Sequence, residues 1–421
     1  MSVSGRRDAS LTGEDSRPDL DSTTRGLVAS IDLAHLGVPP ATPAVVSFTL
    51  NVPESVLDDL RRRLTAARLP DQETGTGWSQ GMPLDRLRDL VEYWRRDYDW
   101  RRLEGELAGL GQFRTLIDGL GIHFLRVRSD HADAVPILLS HGWPGSVVEF
   151  LKSIGPLTDP TAHGGSAEDA FHVVIPSLPG FGLSDKPTAV GWHPSRIAKA
   201  WDGLMTRLGY DRYLAQGGNW GGIVTTRLGE LRPPGLAGVH FTLPEFPIGA
   251  PPLEGKPTWE EETALAQMRS LDTGSAYAKQ QSTRPQTIGY GLADSPAGQA
   301  AWIYEKFAEW TDTDHDPEQV LTRDELLDNI TLYWLTNTAT SAARIYWEYA
   351  AARTTTVKLD LPVGVSVFPR EIVRIPRIWA ERAFRNLVYF NDQVPAGGHF
   401  AAFEQPGIFT EEIRRFARQL R

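Results

Sequence analysis

The chain contains no cysteine among its 421 residues. This absence excludes disulfide bonds, thiolate metal sites and a cysteine nucleophile, and it fits a reducing compartment. Long hydrophobic runs are also lacking, so no segment approaches the roughly 18 to 20 apolar residues of a membrane span. The N-terminal residues have no apolar core of a signal peptide. We therefore expect a cytoplasmic protein that does not insert into a membrane.

A predominantly basic composition is lacking as well. The chain has 43 Lys and Arg residues against 53 Asp and Glu residues, which gives a net charge of −10. Nucleic-acid-binding proteins usually present a basic face, so we expect no nucleic-acid partner. Hydrophobic residues make up 41% of the chain, enough for one large core with an added subdomain. The composition leaves open the substrate and the formation of a homodimer.

Two kinds of ligand-binding motif are missing. No glycine loop of the P-loop or dinucleotide type is present, so no cofactor is predicted. The pattern Asp312-x-Asp314-x-Asp316 resembles the start of an EF-hand calcium loop. Its sixth position is Pro317 instead of Gly, and its twelfth is Arg323 instead of Glu. We therefore reject a metal site there and predict a solvated loop.

The pattern of polar and apolar residues divides the first half of the chain into three parts. Residues 1–44 are rich in Ser, Asp, Arg, Gly and Pro, which predicts a disordered tail. Residues 45–112 predict a lead-in region with two amphipathic helices. Residues 113–244 begin with two strand-like runs joined at Asp118-Gly119, a strong hairpin signal. Short apolar runs then alternate with helical stretches, which is typical of an α/β fold with parallel strands.

The rhythm changes after Pro244. Residues 245–360 are helix-like and rich in aromatic residues, and Thr322 and Glu325 form a capping-box pattern. Residues 361–421 return to strand-like runs and end in a helix. Because strands resume after the helical block, we predict a helical cap inserted into one α/β domain.

The most informative motif is QGGNWGG, at residues 216–222, between a strand-like and a helix-like run. Small residues two positions before and after Asn219 are what a nucleophile elbow requires. The elbow is a sharp, strained turn from strand to helix in which flanking side chains would clash. The alternative is an ordinary glycine-rich turn, because glycine clusters are common in α/β loops.

Two later residues stand in the order that an α/β-hydrolase requires. Glu371 follows the penultimate strand-like run, and His399 follows the last one. An isolated Glu is normally solvated, and a lone His is more often structural than catalytic. Nucleophile, acid and histidine in this order, each at a strand end, nevertheless predict the α/β-hydrolase fold. We expect a mostly parallel central sheet flanked by helices, with the inserted helical cap.

The motif HGWPG, at residues 141–145, ends an earlier strand-like run. In this fold, a backbone N–H of this loop and that of the residue after the nucleophile form an oxyanion hole. These donors would belong to Trp143 and Trp220, and we assign His141 and Pro144 to substrate binding. The alternative is a simple strand-ending turn.

These motifs, together with PSLPGFGLSDKP and GGHFAAFEQP, resemble the epoxide hydrolases, specifically the microsomal branch and its bacterial relatives. The resemblance runs from about residue 45 to the end. It includes the lead-in region and the highly specific cap segment STRPQTIGYGLADSPAGQAAWIYEKFAEWTD. We expect no counterpart of the membrane anchor that the mammalian microsomal enzymes carry.

The resemblance implies that water is added to a small apolar epoxide to give a vicinal diol. The elbow residue would attack an epoxide carbon and form an ester, while Tyr346 and Tyr277 of the cap protonate the epoxide oxygen. His399, oriented by Glu371, would then activate water against the ester. The alternative for the tyrosines is core packing, and four other tyrosines compete for the role: Tyr290, Tyr304, Tyr333 and Tyr349.

The chain departs from the family at the elbow, where Asn219 replaces the nucleophilic aspartate. A carboxamide is a poor nucleophile, and loss of a hydrolase nucleophile lowers kcat by roughly 10⁶. Three explanations are an engineered change that traps a ligand, direct attack of His399-activated water on the epoxide, and a catalytically silent ligand-binding homologue. A fourth is hydrolysis of the Asn219 carboxamide to aspartate.

Other enzymes of the fold fit the sequence less well. An esterase needs Ser at the elbow, and a haloalkane dehalogenase needs Asp there with Trp or Asn halide donors instead of the tyrosines. Retention of a general base argues against binding alone. The aromatic residues of the cap line an apolar pocket or form its core: Trp302, Tyr304, Phe307, Trp310, Trp334 and Trp347.

Overall fold

The structure is a computed structural model that describes residues 33–245, 255–351 and 357–421. The strands of these residues form one nine-stranded sheet, in the order β1-β2-β3-β5-β4-β6-β7-β8-β9. The first four strands of that order pair in antiparallel fashion, and the pairs from β5 to β9 are parallel. The strands are Val46–Phe48 (β1), Gln112–Ile117 (β2), Leu120–Val127 (β3), Val135–Ser140 (β4), Phe171–Pro176 (β5), Tyr213–Gly217 (β6), Leu236–Phe241 (β7), Val363–Ser366 (β8) and Leu387–Asn391 (β9).

The predicted hairpin joins β2 to β3. Asp118 has φ 50° and Gly119 has φ 79°, so both turn residues lie in the left-handed region. Such a turn matches the twist of paired strands, and Asp and Gly are the residues that tolerate it. The register of the pair follows directly, with Ile117 opposite Leu120.

Helices precede, flank and interrupt the sheet. The lead-in and sheet-flanking helices are Glu54–Thr65 (α1), Leu84–Arg96 (α2), Trp100–Leu110 (α3), Leu151–Thr158 (α4), Pro194–Arg207 (α5) and Asn219–Leu231 (α6). Between β7 and β8 lie Trp259–Gly274 (α7), Ala276–Thr283 (α8), Pro285–Asp294 (α9), Pro296–Trp310 (α10), Arg323–Thr336 (α11) and Ala339–Ala351 (α12). The chain ends with Arg377–Ala383 (α13), Ala401–Glu404 (α14) and Pro406–Arg418 (α15). The six α-helices that the structure describes between β7 and β8 lie where the sequence predicts a cap, and they are called the cap below.

The lead-in region differs from the prediction in two respects. It contains a third helix, α3, and its strand β1 extends the sheet by pairing with β2. The boundary of the tail at residue 44 is also wrong. Leu33 and Leu36 form a short 3-10 turn whose side chains are buried in the main core, because both leucines lie on its inner face. Residues 1–32 of the predicted tail lie outside the described residues.

Polar contacts, buried or partly buried, join the lead-in region to the cap. The indole N–H of Trp94 donates to Thr331 Oγ1 at 2.9 Å, and the hydroxyl of Tyr98 donates to Asp328 Oδ1 at 2.9 Å. Arg102 also pairs with Asp328. Because α11 carries both acceptors, these contacts tie the lead-in region to the cap.

Helix α6 approaches β4 so closely that only glycine fits at the contact. A Cβ atom placed on Gly221 would lie 1.8 Å from the carbonyl oxygen of Ser140. That oxygen belongs to backbone at the end of β4, so it cannot move aside as a flexible side chain would. The glycines of the motif are therefore required by packing between strand and helix.

We predict that Gly221→Ala lowers the free energy of unfolding by more than about 2 kcal/mol, because the added methyl group overpacks a backbone contact. Gly203→Ala is the matched control. Gly203 is exposed within α5 and a Cβ there meets nothing within 4 Å, so this change stabilises by about 0.5 to 1 kcal/mol. Denaturant unfolding of both variants measures the difference. Equal stability of the two would contradict the packing argument.

Candidate active site

Asn219 stands at the turn from β6 to α6, as the elbow motif predicts. Its φ of 51° places a non-glycine residue in the left-handed region, a strained conformation that clusters at functional sites. Space around it is tight, since a Cβ on Gly217 would lie 2.2 Å from the carbonyl oxygen of Gly221. The turn therefore presents the side chain of residue 219 at the end of the parallel strands.

Two backbone groups hold one end of the Asn219 carboxamide. The N–H of Trp143 donates to Asn219 Oδ1 at 3.0 Å, and the N–H of Trp220 donates to the same oxygen at 2.7 Å. Two N–H donors require an acceptor, so the carboxamide oxygen occupies this position. The geometry is that of an oxyanion hole, in which charge that develops on an oxygen is stabilised by fixed donors.

The other end of the carboxamide faces a histidine. Asn219 Nδ2 lies 2.7 Å from His399 Nε2, and His399 Nδ1 lies 2.5 Å from Glu371 Oε1. Since the amide nitrogen only donates, Nε2 accepts, and the imidazole proton is on Nδ1, where it is donated to the carboxylate. Glu371 thus fixes the tautomer that leaves Nε2 free to act as a base.

Two acidic residues, Glu404 and Asp312, hold the loop that contains His399, and the sequence did not predict this role for either of them. The carboxylate of Glu404 accepts the backbone N–H groups of Asp312, Gly398 and Phe400 at 2.7, 3.1 and 3.0 Å. Burial raises the pKa of Glu404 to about 7. The carboxylate of Asp312 accepts the N–H of Gly397 at 2.8 Å.

The prediction of a solvated loop around Asp312 holds only in part. Asp312 is partly buried and anchors the histidine loop, whereas the side chain of Asp314 is 90% exposed. Arg370 also lies 3.5 Å from Asp312 and 3.2 Å from Asp314. Within residues 33–245, 255–351 and 357–421, no group of acidic or histidine side chains is arranged to hold a metal ion. In the same ranges, no helix is long and apolar enough to cross a membrane.

Tyr277 on α8 and Tyr346 on α12 lie over the elbow. The ring of Tyr277 stacks on Trp143 with centroids 5.1 Å apart, and the ring of Tyr346 meets Trp220 edge-on at 4.5 Å. Burial raises the pKa of both phenols above the ordinary value, so each keeps its proton. Both line the same cavity as Asn219, which has a volume of about 340 Å³.

The four competing tyrosines are engaged elsewhere or exposed. The hydroxyls of Tyr304, Tyr333 and Tyr349 donate to Glu318, to the carbonyl of Gly145 and to Glu245, respectively. Tyr290 is 69% exposed. Of these, only Tyr349 lines the cavity, and its proton is committed to Glu245.

The cavity wall beyond these groups is largely apolar. Apolar side chains from the elbow helix, the segment after β7, the start of the cap and the segment after Glu371 contribute to it, among them Ile223, Leu243, Met268, Leu271, Ile372 and Ile375. None of the six cap aromatics named from the sequence lines this cavity. Trp302, Tyr304, Phe307, Trp310 and Trp334 belong to the main core or pack against it, and Trp347 is 40% exposed. The core alternative therefore applies to five of them.

The structure does not place His141 and Pro144, which the sequence assigns to substrate binding, in the wall of the cavity. The His141 ring is fully buried, and its two nitrogens contact the backbone, at Leu178 N–H (3.1 Å) and the carbonyl of Gly142 (3.1 Å). The carbonyl of Pro144 accepts a hydrogen bond from Asn329 of the cap at 2.7 Å. Neither residue lines the cavity, because the loop turns both inward to hold its own shape.

The chain is similar to known proteins over most of its length. Residues 45–150 match the family described as the epoxide hydrolase N terminus, and residues 135–284 match the alpha/beta hydrolase fold. The solved structure of Aspergillus niger epoxide hydrolase superimposes with a TM-score of 0.79 at 33% identity, covering 92% of this chain and 98% of that one. Juvenile hormone epoxide hydrolase from the silkworm Bombyx mori gives a TM-score of 0.78 at 30% identity, with 90% and 94% coverage.

A sequence relative is closer than these structures in identity. A Stigmatella aurantiaca protein, whose own assignment as an epoxide hydrolase is provisional, is 60% identical over 379 residues, which cover 90% of this chain and 86% of that one. The match extends through lead-in, sheet and cap, so it does not rest on the elbow motif alone. The chain therefore belongs to the epoxide hydrolase family of the α/β-hydrolase fold.

Proposed function

We propose that the protein adds water to a small apolar epoxide and releases a vicinal diol, and that the form that turns over carries aspartate at position 219. One observation carries the proposal: Oδ1 of residue 219 accepts two backbone N–H bonds, while the atom beside it faces His399 Nε2. The apolar cavity between this atom and the cap tyrosines supports a compact, weakly polar substrate.

The atom that points away from the oxyanion hole is the one that must attack the epoxide carbon. In an aspartate it is a carboxylate oxygen with available lone pairs. In Asn219 it is the amide nitrogen, whose lone pair is delocalised and whose protons face His399 Nε2 at 2.7 Å. The substitution therefore blocks formation of the ester with the epoxide. The carbonyl oxygen remains bound by the two N–H donors, as hydrolysis of such an ester requires.

The same geometry suits hydrolysis of the Asn219 carboxamide. Its carbonyl is polarised by two N–H donors, and a base lies beside its carbon. A water oxygen bonds to Cγ while its proton moves to His399 Nε2. The C–N bond then breaks, and ammonia leaves with that proton, so that a carboxylic acid remains at position 219. An amine is a poorer leaving group than an alcohol, so we expect this conversion to be slow.

We predict that the peptide containing residue 219 gains about 1 Da, the difference between a carboxamide and a carboxylic acid, and that diol formation from a racemic aryl epoxide increases in parallel. Mass spectrometry and diol analysis on aliquots of one incubation measure both. His399→Gln is the control and keeps the carboxamide. Diol formation while the carboxamide is still intact would instead indicate direct attack of water on the epoxide. No diol formation even after conversion to aspartate would indicate a ligand-binding homologue.

We predict that Asn219→Asp raises kcat toward small epoxides strongly, by up to roughly 10⁶-fold, since it restores the attacking oxygen. Single-turnover mixing followed by mass spectrometry of the protein should show a covalent adduct of the epoxide. Asn219→Ala serves as the matched inactive form. Equal, negligible activity of the Asp and Ala variants would contradict an epoxide-opening function.

We predict that Tyr346→Phe in the Asn219→Asp protein slows ester formation by about 10²-fold or more, because the epoxide oxygen loses a proton donor. Tyr277→Phe should act in the same direction. Tyr349→Phe removes a hydroxyl from the same cavity, but that hydroxyl is bound to Glu245 at 2.7 Å, so ester formation should change less than severalfold. Rapid-quench measurement of adduct formation compares the three. A similar loss in all of them would indicate disturbed packing instead of proton donation.

A further inference from the structure

A second, much smaller space lies on the other side of residue 219. This chamber has a volume of about 20 Å³ and is lined by Asn219, His399, Gln216, Glu149 and the loop at Gly142 and Gly145, among others. Asn219 is the one described residue that lines both the chamber and the larger cavity. The volume suffices for one water molecule, provided that polar groups surround it.

Glu149 brings a carboxyl group to this chamber. Neither the proposed formation of the ester nor the activation of water by His399 accounts for this group. It lies in a short 3-10 turn, Val147–Phe150, which Ser146 caps by accepting the N–H of Val148 at 3.2 Å. A Cβ on Gly145 would lie 2.0 Å from Glu149 Oε2. The glycine of the HGWPG loop therefore leaves the space that this carboxyl occupies.

The chamber contains further polar atoms with unused bonding capacity. Gln216 Oε1 is buried without a hydrogen-bond partner, and Gln216 lines the chamber. The carboxyl of Glu149 has no hydrogen bond or ion pair to any residue in the described ranges. Burial raises the pKa of Glu149 well above its ordinary value, which favours the neutral acid, a form that both donates and accepts hydrogen bonds.

We propose that Glu149 positions the hydrolytic water against His399 in this chamber, so that water and epoxide reach residue 219 from opposite sides. The inference rests on the proposed function. In the ester formed at position 219, the water oxygen bonds to Cγ and its proton moves to His399 Nε2. The carbonyl oxygen takes the negative charge between the N–H groups of Trp143 and Trp220. When this tetrahedral intermediate collapses, the bond between Cγ and the alkyl oxygen breaks. The alkyl oxygen takes the proton from His399, and the diol leaves.

The experiment separates the two half-reactions in the Asn219→Asp protein by rapid quench and mass spectrometry. Glu149→Ala should leave ester formation within about twofold and slow ester hydrolysis by about 10²-fold, the scale expected when a reactant is misplaced by about 1 Å. The covalent adduct then accumulates. Glu149→Gln, whose carboxamide also donates and accepts, should return hydrolysis to within about fivefold of the parent.

Ser146→Ala is the matched control, because it disturbs the same turn without entering the chamber. Equal slowing of both half-reactions by Glu149→Ala, unchanged hydrolysis, or the same accumulation of adduct in Ser146→Ala would each overturn the proposal. If the parent forms no adduct, the proposed function fails by itself. A high-resolution crystal structure of the unchanged chain then decides on Glu149, since a water bound to its carboxyl and directed at His399 supports the assignment and its absence refutes it.

Discussion

The two N–H bonds to Oδ1 of Asn219 are the contact on which the rest of the site depends. They come from Trp143 at the end of β4 and Trp220 at the start of α6, and they exist only because Gly221 allows the helix to reach the strand. The indole rings of the same tryptophans pack against Tyr277 and Tyr346. One pair of residues thus binds the carbonyl of residue 219 with its backbone N–H groups and contacts the cap tyrosines with its side chains.

Much of this arrangement follows from local sequence, and the part that does not has a common physical reason. The elbow, the hairpin at Asp118 and Gly119 and the order of Glu371 and His399 each express a backbone requirement within a few residues. Glu404 and Asp312 act through backbone N–H groups that are distant in sequence or lie in a loop, so an isolated carboxylate gives no signal. For His141, the motif fixes the position of the residue in the loop but not the direction of its side chain, which contacts the backbone and does not line the cavity.

Retention of strained and buried polar groups bears on the meaning of Asn219. A non-glycine residue with positive φ is destabilising by about 1 to 3 kcal/mol, and Glu371 Oε2 is buried without a partner, which is also unfavourable. A protein that only binds a ligand gains nothing from either. Both features have a purpose if the carbon of residue 219 is a reaction centre at which His399 delivers water.

Replacement of one oxygen by an NH₂ group then affects the two half-reactions unequally. Attack on an epoxide needs a lone pair at the outer atom, and Asn219 lacks it. Attack by water needs a polarised carbonyl and a base, and the structure retains both. Because the second requirement is independent of the first, we propose that such a site is disabled toward its substrate and still able to hydrolyse its own side chain. On this proposal, the groups that hydrolyse the ester also determine whether residue 219 remains an asparagine or becomes an aspartate.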